Sequence, residues 1–365
     1  MILISFDFFK RKMLNEVEAA EIVDRKNLAV ICKVVSKEDI QGKDRIEFLK
    51  VEGWTAVVEK GIHNVGDLVL VIRYDSIVPK RPCFSFLESS KYRVKPKRFS
   101  TKDGSVFSSV IVLSEKELRT EFPEINGNLT EGEDFTDKIG VKKYIPQVKD
   151  IYGTQLGNLS KISDFPTHML RKSDETNLQS KIGMLKEFIG NPYYITVKVD
   201  GSSMTALLID NVFSVCSRNV NLRDEPTCVF WLVAKKYKLE EILRNIPGRY
   251  AIQGEVCGPK IQNNKLGLKE SDFIVFSIID LEVRKRISFQ EQKDFCVKHG
   301  LKHVPVVSEG TDFQGSIDDL IRMASELKYE GTKNPIEGIV LRPLEEKWNE
   351  RLKEPLSCKI MNPLY

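Results

Sequence analysis

Tyr193-Tyr194-Ile195-Thr196-Val197-Lys198-Val199-Asp200-Gly201-Ser202-Ser203 alternates apolar and polar residues through its first half and is rich in β-branched types. That is the pattern of a strand, and Gly201 with two serines reads as the turn that ends it. Two apart on a strand, Lys198 and Asp200 face the same side. A lysine amine is a poor nucleophile while protonated, and a neighbouring carboxylate holds the proton on. The pair therefore makes better sense if Asp200 helps to hold a divalent cation than if it only pairs with Lys198. A lone K-x-D-G arises readily by chance, and an exposed Lys–Asp pair on a strand is usually no more than that. The residues that follow change the balance.

At 365 residues the chain exceeds the usual size of a single core, so two domains are the default. With 41% apolar and 30% charged residues, its composition is that of an ordinary soluble protein. The net charge of +4 is too small to mark a partner, and residues 1–150 carry 26 Lys+Arg against 24 Asp+Glu. Any footprint for a polyanion is therefore local. Seven cysteines (Cys32, Cys83, Cys216, Cys228, Cys257, Cys296 and Cys358) are scattered with no C-x-x-C pair. This fits reduced thiols in a cytoplasmic compartment rather than a disulfide framework. The apolar stretch at 1–10 has Asp7 at its centre and no basic residue before it, so neither a signal peptide nor a membrane span is expected.

In the first half, residues 14–24 have helical spacing. The runs 28–35, 45–51, 55–59, 67–74 and 106–113 are short, β-branched and separated by Gly, Asn, Asp or Pro. Several short strands with few helices predict a small barrel, and an OB-type barrel over residues 1–150 is the first choice. Within it, Lys91-Tyr92-Arg93-Val94-Lys95-Pro96-Lys97-Arg98-Phe99 holds five basic residues between 91 and 98 and no acid. As an extended segment it sets Lys91, Arg93, Lys95 and Lys97 on one face, a row matched to phosphates, with Tyr92 and Phe99 as stacking surface. A solvated edge strand guarded by lysines and Pro96 is the plainer alternative. The linker is placed at 146–165, and the second domain at 151–365.

After the lysine strand, Met204 to Ile209 and Val212 to Ser217 form a hairpin about Asn211, leading to Ser217-Arg218-Asn219. An Arg at a strand end offers a forked donor for phosphate or ribose oxygens. Residues 229–244 have helical spacing. In Tyr250-Ala251-Ile252-Gln253-Gly254-Glu255-Val256-Cys257-Gly258, an acid sits among apolar neighbours, where it needs a partner or a function. Phe273 to Asp280 is a nearly all-apolar strand with one ring to spare for a pocket. Ser288-x-x-Glu291 is a capping box opening a helix that Gly300 ends. Cys296, His299 and His303 mimic metal spacing, but the glycine breaks the helix between the histidines and no fourth ligand is near. Residues 316–328 form another amphipathic helix. Ile336-Glu337-Gly338-Ile339-Val340-Leu341-Arg342-Pro343 and Ser357-Cys358-Lys359-Ile360-Met361 are strands carrying an acid and a base. A lysine nucleophile, three carboxylates (Asp200, Glu255, Glu337) suited to Mg²⁺ or Mn²⁺, an Arg, an aromatic and a final Lys together fit covalent nucleotidyl transfer.

At this point the sequence resembles the covalent nucleotidyltransferase superfamily of ligases and capping enzymes. Six stretches follow the family order over roughly residues 165–361: Lys198-Val199-Asp200-Gly201, Ser217-Arg218-Asn219, Gly254-Glu255, 273–279, Glu337-Gly338-Ile339-Val340 and Lys359-Ile360-Met361. The resemblance implies an α+β architecture: an N-terminal OB-type β-barrel followed by a nucleotidyltransferase domain of ATP-grasp-like antiparallel sheets with flanking helices. It implies that Lys198 takes AMP from ATP, that AMP passes to a nucleic-acid 5′-phosphate, and that a 3′-OH displaces it. Phe276 would stack on adenine, and Glu255 and Glu337 would serve ribose or metal together with Asp200. Arg218 would contact ribose or phosphate, Lys359 the α-phosphate, and Gly201 would line the nucleotide site.

The segment Lys172-Ser173-Asp174-Glu175-Thr176-Asn177-Leu178-Gln179 resembles the one that precedes the lysine motif in RNA ligases, with Gln179 at a nucleotide-pocket position. The first half is similar to the N-terminal OB module of one RNA ligase branch. Met361 and Asn177 depart from the pattern, standing where relatives often carry Lys and Arg. An ATP-dependent RNA ligase, monomeric, acting on nicked or broken RNA ends, is the expectation. A DNA-joining or guanylylating relative, and an RNA-binding protein with a decayed catalytic domain, are the alternatives.

Overall fold

The computed structural model describes residues 27–74, 76–101, 104–144, 161–350 and 353–365. The helix expected at 14–24, the stretch at 1–10, most of the expected linker and the boundary at 150/151 lie outside these. The described residues divide into two units, one ending at Tyr144 and one beginning at Lys161.

In the first unit, β1 (Ala29–Asp39) is long and breaks register between Val34 and Ser36. A bulge bends a strand. Here it lets Ala29 to Lys33 pair with one neighbour and Val34 to Asp39 with another. With β2 (Ile46–Val51), β3 (Trp54–Glu59), β4 (Leu68–Arg73) and β5 (Val110–Ser114), it forms an antiparallel sheet of order β3-β2-β1-β4-β5. Hydrogen bonds from Ser109 N–H to the Thr55 carbonyl (2.9 Å) and from Val57 N–H to Ser108 Oγ (3.1 Å) bring β3 back towards β5. The barrel is thereby nearly closed, as the sequence led one to expect. Ala29, Ile31, Leu70 and Ile72 pack in one core, while Val30, Cys32, Val69 and Val71 pack in another with Trp54. Burial on both faces is why these runs are apolar throughout. Ser114 then opens α1 (Glu115–Glu121) with a capping box closed by Glu117.

One expectation fails here. Residues 91–99 are not a continuous strand: a 3₁₀ helix (Pro82–Ser90) precedes them, and Lys91 and Tyr92 are left-handed at φ 54° and 61°. Side-chain alternation does not survive two such residues, so Lys91, Arg93, Lys95 and Lys97 form no single row. Arg93 instead lies 3.6 Å from the centre of the Tyr144 ring, while Lys91, Lys95 and Lys97 are exposed.

The second unit has two sheets. The first contains β7 (Ser202–Ile209), β8 (Val212–Ser217), β9 (Tyr250–Cys257) and β10 (Asp272–Asp280) at its centre, in the order β8-β7-β9-β10. Its edge strand Lys161–Asp164 falls inside the expected linker. The second sheet contains β6 (Tyr193–Lys198), β11 (Gly338–Pro343) and β12 (Cys358–Met361), flanked by Thr176–Asn177 and Val306–Gly310. The helical stretch at 229–244 is two helices, α2 (Val229–Lys236) and α3 (Leu239–Asn245), because Lys238 is left-handed at φ 51°. They cover the first sheet. The capping boxes at Ser288 and Ser316 open α4 (Phe289–Lys298) and α5 (Ile317–Glu326), and α5 packs on the second sheet.

Gly338 holds β11 and β12 together at their tightest point: a Cβ there would lie 2.2 Å from the Ile360 carbonyl oxygen. Gly338→Ala is expected to cost about 1–3 kcal/mol of stability through overpacking. Chemical denaturation checks it, and an unchanged midpoint would mean that the strands lie farther apart.

Candidate active site

Lys198 ends β6 opposite Gly338 of β11, and Thr196 lies opposite Val340, which in turn pairs with Lys359 of β12. Paired residues, and residues two apart, share a face. Lys198 and Lys359 therefore stand on one face, while Val197, Ile339 and Ile360 turn to the core under α5. The strand stops at Lys198, two residues short of the Asp200 that the sequence reading set on it, and Asp200 lies in the crossing to β7. Gly201 makes that crossing possible, since a Cβ would lie 2.4 Å from the Val256 carbonyl and 2.8 Å from Glu255 Cγ.

The other sheet supplies the rest. Glu255 pairs with Ser203 of β7 and Ile274 of β10. Arg218 follows β8 directly and forms an ion pair with Asp174. The register between β9 and β10 slips so that Gln253 faces Ser277 and Gly254 faces Val275, leaving Phe276 as the extra residue. A bulge re-aims a side chain and frees its carbonyl from the ladder. Here the Phe276 carbonyl accepts from Arg342 Nη1 (2.7 Å) and Gln292 Nε2 (3.3 Å), and its half-buried side chain packs against the cluster of Val199, Cys257, Ile274 and Val304.

Lys198 Nζ donates to Glu337 Oε2 at 2.5 Å. Burial pulls the lysine pKa down, but Glu337, Glu255 and Asp200 outweigh it and the net shift is upward. The proton is held on, as the sequence implied. Burial, with Glu337 and Asp200 adding like charge against the pull of Lys198, pushes the Glu255 carboxyl up to about 8. Burial likewise raises Glu337, with Lys198 and Lys359 pulling the other way. Asp200 accepts a hydrogen bond from the Tyr365 hydroxyl, whose ring carries the Lys265 ammonium 3.3 Å from its centre.

Three carboxylates thus crowd one ammonium, and no hydrogen bond or ion pair to the Glu255 carboxylate is found among the described residues. That surplus of negative charge suits a divalent cation. No group of three or more His, Cys, Asp or Glu side chains among the described residues converges to hold a metal directly.

The segment before β6 ties the two sheets together. Lys172 reaches Asn219, Ser173 the Ser203 hydroxyl, Asp174 Arg218, and Glu175 the buried Arg342. Gln179 spends its amide on the Met361 backbone, at 2.8 Å to N–H and 3.3 Å to the carbonyl. It therefore braces β12 rather than offering a free contact. Tyr329, Tyr365 and Lys265 were not singled out from the sequence. They lie far from the lysine strand in the chain, and only the need of a buried tyrosine hydroxyl for partners hinted at them.

Two sheets with a lysine at their junction, carboxylates from separate strands and a second lysine on the same face define a covalent nucleotidyltransferase-type domain. A family model described as RNA ligase matches residues 191–357, and one described as an OB-fold domain matches residues 28–104. The chain thus carries a domain that matches the RNA ligase family, with an OB-fold domain ahead of it. Solved structures agree. A lysine-to-alanine variant of Naegleria gruberi RNA ligase with ATP and Mn is 26% identical, with 92% of this chain and 97% of that chain covered at a TM-score of 0.76. A glutamate-to-alanine variant of that ligase with AMP and Mn is 27% identical over 92% of this chain and 96% of that one, at a TM-score of 0.76. The same ligase with pyrophosphate is 27% identical over 92% and 96%, at a TM-score of 0.74. No curated protein matches the chain.

The crowding of Glu255 has a measurable consequence. Folded, its carboxyl keeps a proton up to about 8, whereas unfolded it loses it near the ordinary 4.5. Between those values the folded state binds more protons, so stability falls as pH rises. In metal-free protein, the melting temperature is expected to decline less steeply over that window for Glu255→Gln than for wild type. Parallel declines would contradict the crowding.

Proposed function

We propose that the protein is an ATP-dependent RNA ligase that seals 3′-OH and 5′-phosphate ends through a lysyl-AMP and an RNA-adenylate, in RNA repair. The observation that carries this is the placement of Lys198 Nζ at 2.5 Å from Glu337, with Glu255 and Asp200 around it and Lys359 on the same sheet face. The likeness to a ligase with ATP and Mn, and with AMP and Mn, supports ATP as the nucleotide and Mg²⁺ or Mn²⁺ as the metal.

In the first step the Lys198 nitrogen bonds to the α-phosphorus as the bond to pyrophosphate breaks. Its proton must leave for this, and Glu337 stands where that proton is already shared. A bound divalent cation would offset the carboxylate and triphosphate charge and favour the neutral amine. Lys359 meets charge building on the α-phosphate, Arg218 leaves Asp174 for ribose or phosphate, and Phe276 stacks on adenine with Gly201 alongside. In the second step the RNA 5′-phosphate takes AMP and frees the lysine. In the third, the 3′-OH attacks the activated phosphate and AMP departs.

Residues 1–150 serve as the RNA-binding OB domain and 151–365 as the adenylyltransferase domain. The exposed Lys91, Lys95 and Lys97, with Arg93 behind them on Tyr144, contact RNA phosphates. The protein acts as a monomer in the cytoplasm. Its seven unbridged cysteines suit a reducing compartment, and no described helix is long and apolar enough to cross a membrane.

ATP labelled at the α-phosphate is expected to leave label on wild type, none on Lys198→Ala, and labelled GTP to leave none on either. Nicked RNA duplexes should be sealed in preference to nicked DNA. Label retained by Lys198→Ala, or GTP labelling equal to ATP, would overturn the reading.

A further inference from the structure

Beyond Lys198 the antiparallel ladder ends, because Val199 and Asp200 turn towards the other sheet and Glu337 precedes β11. Three backbone groups at the reacting centre lose their ladder partners there: the Lys198 carbonyl, the Asp200 N–H and the Glu337 N–H. A single hydroxyl takes all three. Tyr329 Oη accepts from Asp200 N–H at 3.0 Å and from Glu337 N–H at 3.2 Å, and donates to the Lys198 carbonyl at 3.3 Å. A phenol has one proton and two acceptor positions, so its capacity is fully used.

The ring is only 6% exposed and sits in the core with Leu320, Ala324 and Ile336. The backbone of Tyr329 is fixed by N–H donation to the Asn334 carbonyl at 3.0 Å. Glu337 is held from its other side as well, since its carbonyl accepts from Asn362 N–H at 3.0 Å.

We infer that Tyr329 is a positioning residue for nucleotidyl transfer: its hydroxyl replaces the missing rung between the nucleophile strand and the Glu337 strand, and so sets where Lys198 Nζ, Asp200 and Glu337 stand relative to one another. This rests on the ligase reading above. It predicts that losing the hydroxyl slows chemistry more than it weakens nucleotide binding, because the Tyr329 hydroxyl bonds to the backbone that carries the reacting groups.

The test is single-turnover labelling of Lys198 with α-labelled ATP over a range of ATP concentrations. It compares wild type, Tyr329→Phe, and Tyr193→Phe as a control that removes a tyrosine hydroxyl from the same sheet, where it meets Ser308 Oγ at 3.3 Å. Tyr329→Phe should lower the maximal rate roughly tenfold or more while leaving the half-saturating ATP within about threefold of wild type. Tyr193→Phe should label at the wild-type rate. Replacing Tyr329 by 4-aminophenylalanine, which keeps the donor to the Lys198 carbonyl but offers one weak acceptor to the two N–H groups, should give a rate above Tyr329→Phe and below wild type, and it serves as the test should Tyr329→Phe fail to fold. A wild-type rate in Tyr329→Phe, a loss confined to half-saturation, an equal loss in Tyr193→Phe, or no restoration by the amino analogue would overturn the inference. No labelling of wild type would overturn the ligase reading, and the inference with it.

Discussion

One ammonium and three carboxylates share a small volume where two β-sheets meet, and most of the second unit serves to keep them there. Like charges at close range repel strongly once water is largely excluded. The chain accepts this because the groups hang from three separately anchored segments: the end of β6 and its crossing, β9, and the residue before β11. Lys198 alone does not balance Glu337, Glu255 and Asp200, and the raised Glu255 and Glu337 carboxyls record the imbalance. A site built this way is incomplete by charge, and its surplus of carboxylates suits a divalent cation.

The anchoring is mechanical as much as electrostatic. Arg342 is 4% exposed and reaches Glu175, Ser357 and Ser277 as well as the carbonyl freed by the bulge at Phe276. A buried guanidinium with its donors satisfied is a rigid strut, and one with a missing partner would be costly. It joins the sheet that bears Lys198 to the sheet that bears Glu255 and Phe276. Residues 172–179 do the same from the chain side, with successive side chains bonded to one sheet and then the other.

The pairing of Arg218 with Asp174 and of Asp200 with Tyr365 gives the site a resting arrangement in which charged groups wait on internal partners. Lys198 likewise shares its proton with the Glu337 carboxylate that stands next to it.

The sequence by itself determined the strand character of 193–198, the caps at Ser288 and Ser316, the barrel in the first half, and the identities of the acids and bases of the site. These are local: alternation, capping boxes and turn residues act over a few positions, and charged residues in apolar strands advertise themselves by their cost. It misjudged the basic segment at 91–99 because left-handed backbone at Lys91 and Tyr92 has no signature in an alternating pattern. It merged α2 and α3 for the same reason, at Lys238. Tyr329, Tyr365, Arg342 and the bulge at Phe276 were decided by tertiary structure alone. Key contacts among them cross 66, 129 and 165 positions of chain, and which hydroxyl or guanidinium meets which freed backbone group depends on how two sheets pack, a relation no single segment encodes.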